Sequence, residues 1–414
     1  MEFRVLTQQE YRDFTATHPQ TSFNQTVEMA NMKREQGSVI HLVGVLDGGQ
    51  VLAAAMLMED PAYLGRKRFY SPRGLLVDYH NKTVLAFFVK ELKAYIKKRG
   101  GMMLVIDPNV IYRTRTPEGD IIEGAPADDE TVNNLKELGF SHHGFNVYLD
   151  AIQVRWCCRL PMDEDYEAKK AKFSKQTRKN INTCIKKGLM VREGKMEDLS
   201  VMADIFDDTA RRRDFLVRGL DYYQLMYRHM SDLMTIYIAY LDPDVYLRHT
   251  AQLLSEAEET LRKTEEKMAN QQTGEKVERM RQEAITQIEK YRCEMRRAEE
   301  FAQKYPSGKD VGCLLSLKSG EEYLTFLSGT LPEYRSFNPK YLLYEHHIKE
   351  AYKEGFKFCN FYGITGDFSP ENKYFGVYEF KRGFKPNVAE YVGQFELGIG
   401  PLYKLIQSLK KLRK

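Results

Sequence analysis

GFKFCNFYGITGDFSPENKYFGVYEFKRGF, residues 355–384, is the stretch whose reading decides the fold. Ten of its thirty residues are Phe or Tyr, and it closes on Glu379-Phe380-Lys381-Arg382 followed by Gly383. A helix leads into it. Asn338 suits its cap, Pro339 its first turn, and Gly355 the position after its last turn. The apolar run 356–362 then reads as a buried strand. The loop beyond carries Gly363, Gly366, Pro370 and Gly376, and is too aromatic for a linker. The basic pair Lys381-Arg382 is expected on a further strand, framed by rings. Taken alone, the stretch fits either a site or a β-rich core edge with a surface lysine.

Working outward, the segment before it pairs with the first half of the chain. IHLVGVLDGGQVLAAAMLM (40–58) corresponds to TIYIAYLDPD (235–244) joined to DVGCLLSL (310–317). VKELKAYIKKRGGMMLVIDP (89–108) corresponds to EHHIKEAYKEGFKFCNFYGI (345–364). The match is one of pattern, and it predicts a duplicated α/β (α+β) architecture with mixed sheets. In the first half, Thr7-Gln8-Gln9-Glu10 reads as a capping box opening a helix. Asp47-Gly48-Gly49 reads as a hairpin turn, and 113–127 as a polar loop. The expected units are 1–150, then 151–242 with 309–395, then an insertion over 243–308 and a C-terminal basic amphipathic helix over 396–414.

The insertion falls where the first half has only its Asp47-Gly48-Gly49 turn. Leu247, Leu254, Leu261 and Met268 stand seven apart in its first arm. Steps of four and three link Val277, Arg281, Ala284, Ile288, Tyr291, Met295, Ala298, Ala302 and Tyr305 in its second. This predicts an antiparallel coiled-coil hairpin reaching roughly 40 Å at ~1.5 Å per residue. Such an arm is either a reach for a large partner or a dimer contact with a second copy or a related chain.

Composition bounds the function. The 414 residues are 43% apolar with a net charge of +4, so any basic signal is local. Six cysteines lie scattered without a CxxC pair, which argues for reduced thiols and against structural zinc. His142-His143 and His346-His347 are neighbours whose side chains diverge, so no metal site is expected. No run reaches transmembrane length, and the expected location is the cytoplasm, with peripheral contact at the inner face of the membrane. Residues 168–192 hold nine Lys or Arg and no acid, among them Lys175, Arg178, Lys179 and Lys186. Positive charge without compensation suggests a polyanion, either RNA phosphates or anionic lipid. In PLYKLIQSLKKLRK (401–414), Leu402, Leu405, Ile406, Leu409 and Leu412 share one helical face opposite Lys404, Lys410, Lys411, Arg413 and Lys414. That face suits packing on the parent domain or an interfacial membrane helix.

In combination, YSPRG (70–74), KQTRKNINTCIKKG (175–188) and the FYGI…FK-GF ending, in this order, resemble the FemABX family of non-ribosomal peptidyltransferases. The inserted hairpin is similar to that of the branch acting on lipid-linked substrates. The resemblance covers about 22–384. It implies two GNAT-like (acyl-CoA N-acyltransferase-like) domains and transfer of an amino acid from aminoacyl-tRNA to the stem-peptide amine of a peptidoglycan precursor, building the interpeptide bridge. It implies no cofactor beyond the aminoacyl-tRNA co-substrate. Residue by residue, Phe380 and Lys381 match the catalytic pair. Lys33 (in SFNQTVEMANMK) and Arg212 (in TARRRDF) match positions gripping the precursor's phosphates, with Arg213 adjacent. Val27 stands where an aromatic is expected. Tyr362, Arg73 and Asp107 fall in the family's motifs with a cleft-lining role. The enzyme alternative is an acyl-CoA-dependent N-acyltransferase, which the missing Q/R-x-x-G-x-G/A loop disfavours. The non-enzymatic alternative is an RNA-binding or scaffold protein.

Overall fold

In the computed structural model, residues 1–213, 218–270 and 274–412 are described, without the side chains of 212, 213 and 410–412. The first half runs β1 (Glu2–Val5), α1 (Gln8–Thr17), α2 (Val27–Glu35), β2 (Val39–Asp47), β3 (Gln50–Pro61) and β4 (Lys67–Ser71). It continues through α3 (Lys82–Lys98), β5 (Gly101–Ile106), β6 (Ile111–Arg115), α4 (Asp129–Glu137) and β7 (Phe140–His142). The second half opens with β8 (Trp156–Pro161), α5 (Tyr166–Lys172), α6 (Lys175–Lys186), β9 (Leu189–Gly194), α7 (Leu199–Arg213) and α8 (Leu220–Met230). Next come β10 (Met234–Leu241), the long pair α9 (Pro243–Ala269) and α10 (Glu275–Lys304), β11 (Lys309–Ser319) and β12 (Glu322–Thr330). The chain ends with α11 (Pro339–Lys353), β13 (Phe358–Ile364), α12 (Phe375–Arg382), β14 (Asn387–Tyr391), β15 (Phe395–Gly398) and α13 (Pro401–Leu412).

The internal repeat is visible in the sheets. The order β1-β2-β3-β4-β5 in a seven-stranded sheet mirrors β9-β10-β11-β12-β13 in an eight-stranded one. In each, the pair reached through a crossover helix is parallel: β4 with β5 through α3, and β12 with β13 through α11. Local chemistry explains the shared start. Thr7 and Glu10 close a reciprocal capping box, and Gly48 and Gly49 take the left-handed conformations that a tight hairpin turn requires. Where the first half turns on those glycines, the second inserts α9 and α10.

A cut at residue 150 does not separate the sheets. β15, from the end of the chain, pairs with β5 and β7 in the first sheet. β6, from the first half, pairs with β14 at the edge of the second. The expected loop over 113–127 therefore begins as a strand, and 395–398 belongs to the first sheet. One apolar cluster also spans both halves, joining Tyr11, Val27 and Met56 to Phe206, Met226 and Leu315.

Three further expectations change. Residues 375–382 form a helix, because Tyr378 and Lys381, three apart, are the buried pair; the aromatic content had pointed to strand. Asn338 precedes α11 in a left-handed conformation and gives it no side-chain cap. In the hairpin, the buried residues of α9 include Tyr246, Thr250, Ala257 and Thr264, while Leu247, Leu254, Leu261 and Met268 are only half-buried. Ala284, Ile288 and Ala298 of α10 are buried as expected, with Phe301 added. Small residues at the seam let two long helices approach closely.

Gly366, just past β13, is fixed by its neighbour. A Cβ there would meet the Trp156 ring at 2.3 Å. That ring cannot yield, since its Nε1 donates to the Asn146 carbonyl at 3.0 Å and the Arg115 and Arg155 guanidiniums stack on it. Gly366→Ala should cost about 1–3 kcal/mol in urea denaturation, as overpacking of a fixed contact does.

Candidate active site

The site begins with a polar residue in an apolar strand. Asn360 sits inside FCNFYGI (β13), its Nδ2 donating to Glu322 Oε2 at 2.6 Å. Its Oδ1 accepts from the Tyr362 amide at 2.8 Å, which bulges the strand. Tyr362 takes φ +61°, and the β13–β8 register slips between Asn360 and Gly363. The parallel β12–β13 ladder also stops at Leu324–Asn360. Beyond it, at the slip, the backbone of Tyr362 and Gly363 presents carbonyl oxygens toward α12.

Lys381 takes them. Its Nζ donates to the Gly363 carbonyl at 2.7 Å and, more weakly, to that of Tyr362 at 3.4 Å. The side chain is buried and has no carboxylate partner among the described residues. Burial pulls its pKa down, while the neighbouring thiols of Cys158 and Cys157 act the other way. Acceptor-only carbonyls favour the charged form, so the geometry suits an ammonium. Burial pushes the Cys157 thiol up to about 11 and the Cys158 thiol to about 12. These are unreactive thiols.

Phe380, one residue earlier on α12, points elsewhere. It lies edge-on to Tyr341 and Tyr344 with centroids at 4.9 and 4.8 Å. It lines a cavity of about 190 Å³ at the start of α11, together with Thr209, Thr330, Arg335, Lys340 and Tyr341. Helix α6 borders this region. Cys184 Sγ donates to the Asn338 carbonyl at 3.2 Å, and the Ser174 amide to that of Gly383 at 2.8 Å.

The basic run therefore reaches the site, but less of it is uncompensated than its sequence implies. Lys169 and Lys172 pair with Glu164, Lys170 with Glu345, Lys187 with Glu294, and Arg192 with Asp198 and Asp310. Glu164 and Asp198 flank the run, while Glu294, Asp310 and Glu345 come from far along the sequence. Lys175, Arg178, Lys179 and Lys186, all on α6, keep no acidic partner among the described residues.

Arg73 and Asp107 lie near Tyr362, which packs away from the cluster that holds Phe361. Arg73 is buried, donates Nη2 to the Val154 carbonyl at 2.7 Å and stacks on Tyr391 at 4.6 Å. Asp107 accepts from the Arg73 amide and the Tyr70 hydroxyl, both at 2.6 Å. Burial raises the Asp107 carboxyl to about 6 against the pull of Arg73. Burial likewise raises Tyr362 to about 12, with the Arg73 charge opposing it. Tyr391 closes a second cavity of about 220 Å³ whose lining includes Thr21, Asn109, Arg159 and Glu322.

Lys33 stands on α2, its Nζ donating to Gln36 Oε1 at 3.0 Å and lying 6.0 Å above the Tyr222 ring. Burial and the Arg218 charge lower its pKa. Arg218 faces the same ring at 5.5 Å, so two cations converge there. The Tyr222 hydroxyl also raises Tyr362, which ties this cluster to β13. The side chains of Arg212 and Arg213 lie outside the described residues. Neither Lys33 nor Lys381 lines either of these two cavities. Sequence reading missed Arg218, Tyr222, Arg335 and Tyr391. It also passed over Asn360, although a lone amide in an apolar strand signals an interruption. Among the described residues no cluster of His, Cys, Asp and Glu could hold a metal, and no helix is long and apolar enough to cross a membrane.

A FemAB family model matches residues 6–411. The chain belongs to the FemAB family. It is 30% identical over 422 residues to aminoacyltransferase FemA of Staphylococcus epidermidis, covering all of both chains. It is 28% identical over 421 residues to aminoacyltransferase FemA of Staphylococcus aureus, covering 100% of this chain and 99% of the other. Among solved structures, FemX superposes with a TM-score of 0.79 at 25% identity, over 98% of this chain and 100% of that one. The protein is an aminoacyltransferase with the two-sheet α/β fold of FemX. Neither the acyl-CoA nor the scaffold alternative is favoured by this kinship.

Asp107 supplies a check on the site's electrostatics. Its folded pKa lies above the ordinary 3.8, so between about pH 4 and 6 the folded chain holds the extra proton. Its contribution to stability is then full below that window and lost as pH rises through it. Wild type minus Asp107→Asn, compared by urea midpoints at pH 4 and pH 7, should lose on the order of 2–3 kcal/mol across it.

Proposed function

We propose that this enzyme moves an aminoacyl group from aminoacyl-tRNA to the side-chain amine of a peptidoglycan stem peptide, on a lipid-linked precursor. The observation that carries the reading is the consecutive pair Phe380 and Lys381, one forming a cavity wall and the other a buried ammonium on the β13 carbonyls. The acceptor amine attacks the ester carbonyl carbon. A C–N bond forms, the bond from that carbon to the ribose oxygen breaks, and the leaving hydroxyl takes up the proton lost by the amine. An amide is more stable than the ester it replaces, so the step needs no nucleotide, metal or other cofactor.

Two barriers remain, and the residues suit both. Bringing the partners together is an orientation problem. The acceptor end of the tRNA fits the Phe380 cavity, with Arg335 beside it and Lys175, Arg178, Lys179 and Lys186 on bordering α6 to meet further phosphates. The precursor's phosphates suit Lys33 and Arg218, with Arg212 and Arg213 assigned there by family pattern alone. Negative charge on the tetrahedral oxygen is the second barrier, and the Lys381 ammonium is the group proposed to steady it. Aromatic walls exclude water, which strengthens that interaction and spares the ester from hydrolysis. Arg73, Tyr362 and Asp107 shape the opposite wall. Asp107 is a poor base here, since both its oxygens already accept hydrogen bonds. The protein is proposed to work at the inner face of the membrane, where a lipid-linked acceptor lies; α9 and α10 remain available for a second copy or a related chain.

The test is reconstitution with charged tRNAs and the lipid-linked precursor, the product weighed by mass spectrometry. Lys381→Met should cut transfer at least about 100-fold, as loss of one oxyanion donor does, while tRNA binding is kept. Equal losses of binding and transfer, or turnover of acetyl-CoA, would overturn the reading. Lys33→Ala and Arg218→Ala should each raise KM for the precursor about 10-fold with little change in kcat, because each removes a charge-assisted contact made before the transition state.

A further inference from the structure

Two elements from opposite ends of the sequence meet over one corner of the first sheet. Ala62, Tyr403 and Ile406 all pack on the buried group Tyr70, Met102, Met103 and Val105. Tyr403 anchors α13 further, its hydroxyl donating to Glu396 at 2.5 Å and its ring lying against Gly398. With that face spent on the sheet, α13 turns Leu405 and Leu409 outward, 56% and 53% exposed. One turn apart, they form a single ridge. Beside Ala62, the tip Tyr63-Leu64 projects as well, with Leu64 80% exposed at φ +54°. Core packing explains neither feature.

The charges around this ridge are of one sign. Arg66, beside the tip, and Lys404, on α13, carry no acidic partner among the described residues, and the sequence adds Lys410, Lys411, Arg413 and Lys414 beyond. Nearby acids are already engaged: Glu59 by Lys67 and His41, Asp60 by Arg68, and Glu396 by Tyr403 and Gln407. Protruding leucines with a basic residue beside them and a basic sequence beyond match the boundary between anionic headgroups and acyl chains. RNA would use the cations and leave the leucines in water.

We propose that the ridge of Leu405 and Leu409, with the Tyr63-Leu64 tip, docks this enzyme on an anionic bilayer surface. The proposal rests on the reading above in that a lipid-linked acceptor is confined to that surface. β4 runs from this corner to the crevice, placing Arg73 and Asp107 roughly 15 Å from Lys67 at about 3.3 Å per residue. Headgroup phosphates and the site are thus within one strand's length.

The full-length protein is floated with vesicles of phosphatidylcholine alone and with phosphatidylglycerol added. Wild type should bind the anionic vesicles at least about 10-fold better, and Leu405→Ser/Leu409→Ser or Leu64→Ser should each weaken that binding about 10-fold or more. Transfer to a water-soluble precursor lacking the lipid tail should be unchanged in the same variants. Failure of wild type to float, equal flotation of the variants, or conversion of a wild-type dimer to monomer by the leucine changes would each overturn the proposal. Loss of transfer to every acceptor in every form would sink the aminoacyl-transfer reading instead, with flotation still deciding the docking surface.

Discussion

The exchange of strands between the two halves is the constraint on which the rest depends. β15 leaves the second half to lie between β5 and β7, and β14 holds β6 from the first half against the second sheet. Separating the halves would break backbone ladders as well as strip water-free contacts from their shared apolar cluster. Relative movement is therefore expensive, unlike that of two domains joined by a linker. Groups contributed by different halves can hold fixed distances across the seam, and Arg73 on the Val154 carbonyl is one such contact.

Within that frame, a single amide sets the local chemistry. Asn360 spends both ends of its side chain, on Glu322 and on the Tyr362 backbone, and so forces a bulge where the parallel ladder ends. A bulge leaves carbonyls unpaired inside the protein, and unpaired buried carbonyls cost stability. An ammonium without a carboxylate is costly too. Each defect is the other's remedy, since Lys381 satisfies the carbonyls and is solvated by them. The cation keeps its field because no carboxylate among the described residues neutralises it.

How far the sequence discloses this depends on the range of each interaction. The capping box at Thr7, the glycine turn at Gly48-Gly49 and the crossover order are local or periodic, and they are readable residue by residue. The exchange of β6 and β15 is not, because both are short strands whose partners lie far along the chain. The basic run misleads for the same reason: Glu294, Asp310 and Glu345 neutralise part of it from more than 100 residues away. The helix at 375–382 was hidden by aromatic residues that favour strands, although the three-residue spacing of Tyr378 and Lys381 carried the correct period. Of the candidate site, Phe380, Lys381, Lys33, Arg73, Tyr362 and Asp107 are proposed from the family's motifs. Arg218 and Arg335 lie outside those motifs, and only folding brings them to the same surfaces.

The helical form of 375–382 also changes what the Phe380–Lys381 pair can do. On a strand, adjacent side chains point to opposite faces, so one would face the cavity and the other the core behind it. On a helix they diverge by roughly 100°, which lets Phe380 line the cavity while Lys381 reaches sideways to the edge of β13. A large donor entering along α6 and an acceptor held near Lys33 and Arg218 would then meet at that edge from its two sides. Neither need pass through the other's binding surface. On the proposed roles, the slip in β13 is where the reacting atoms would come together, and the buried Lys381 ammonium stands at that slip.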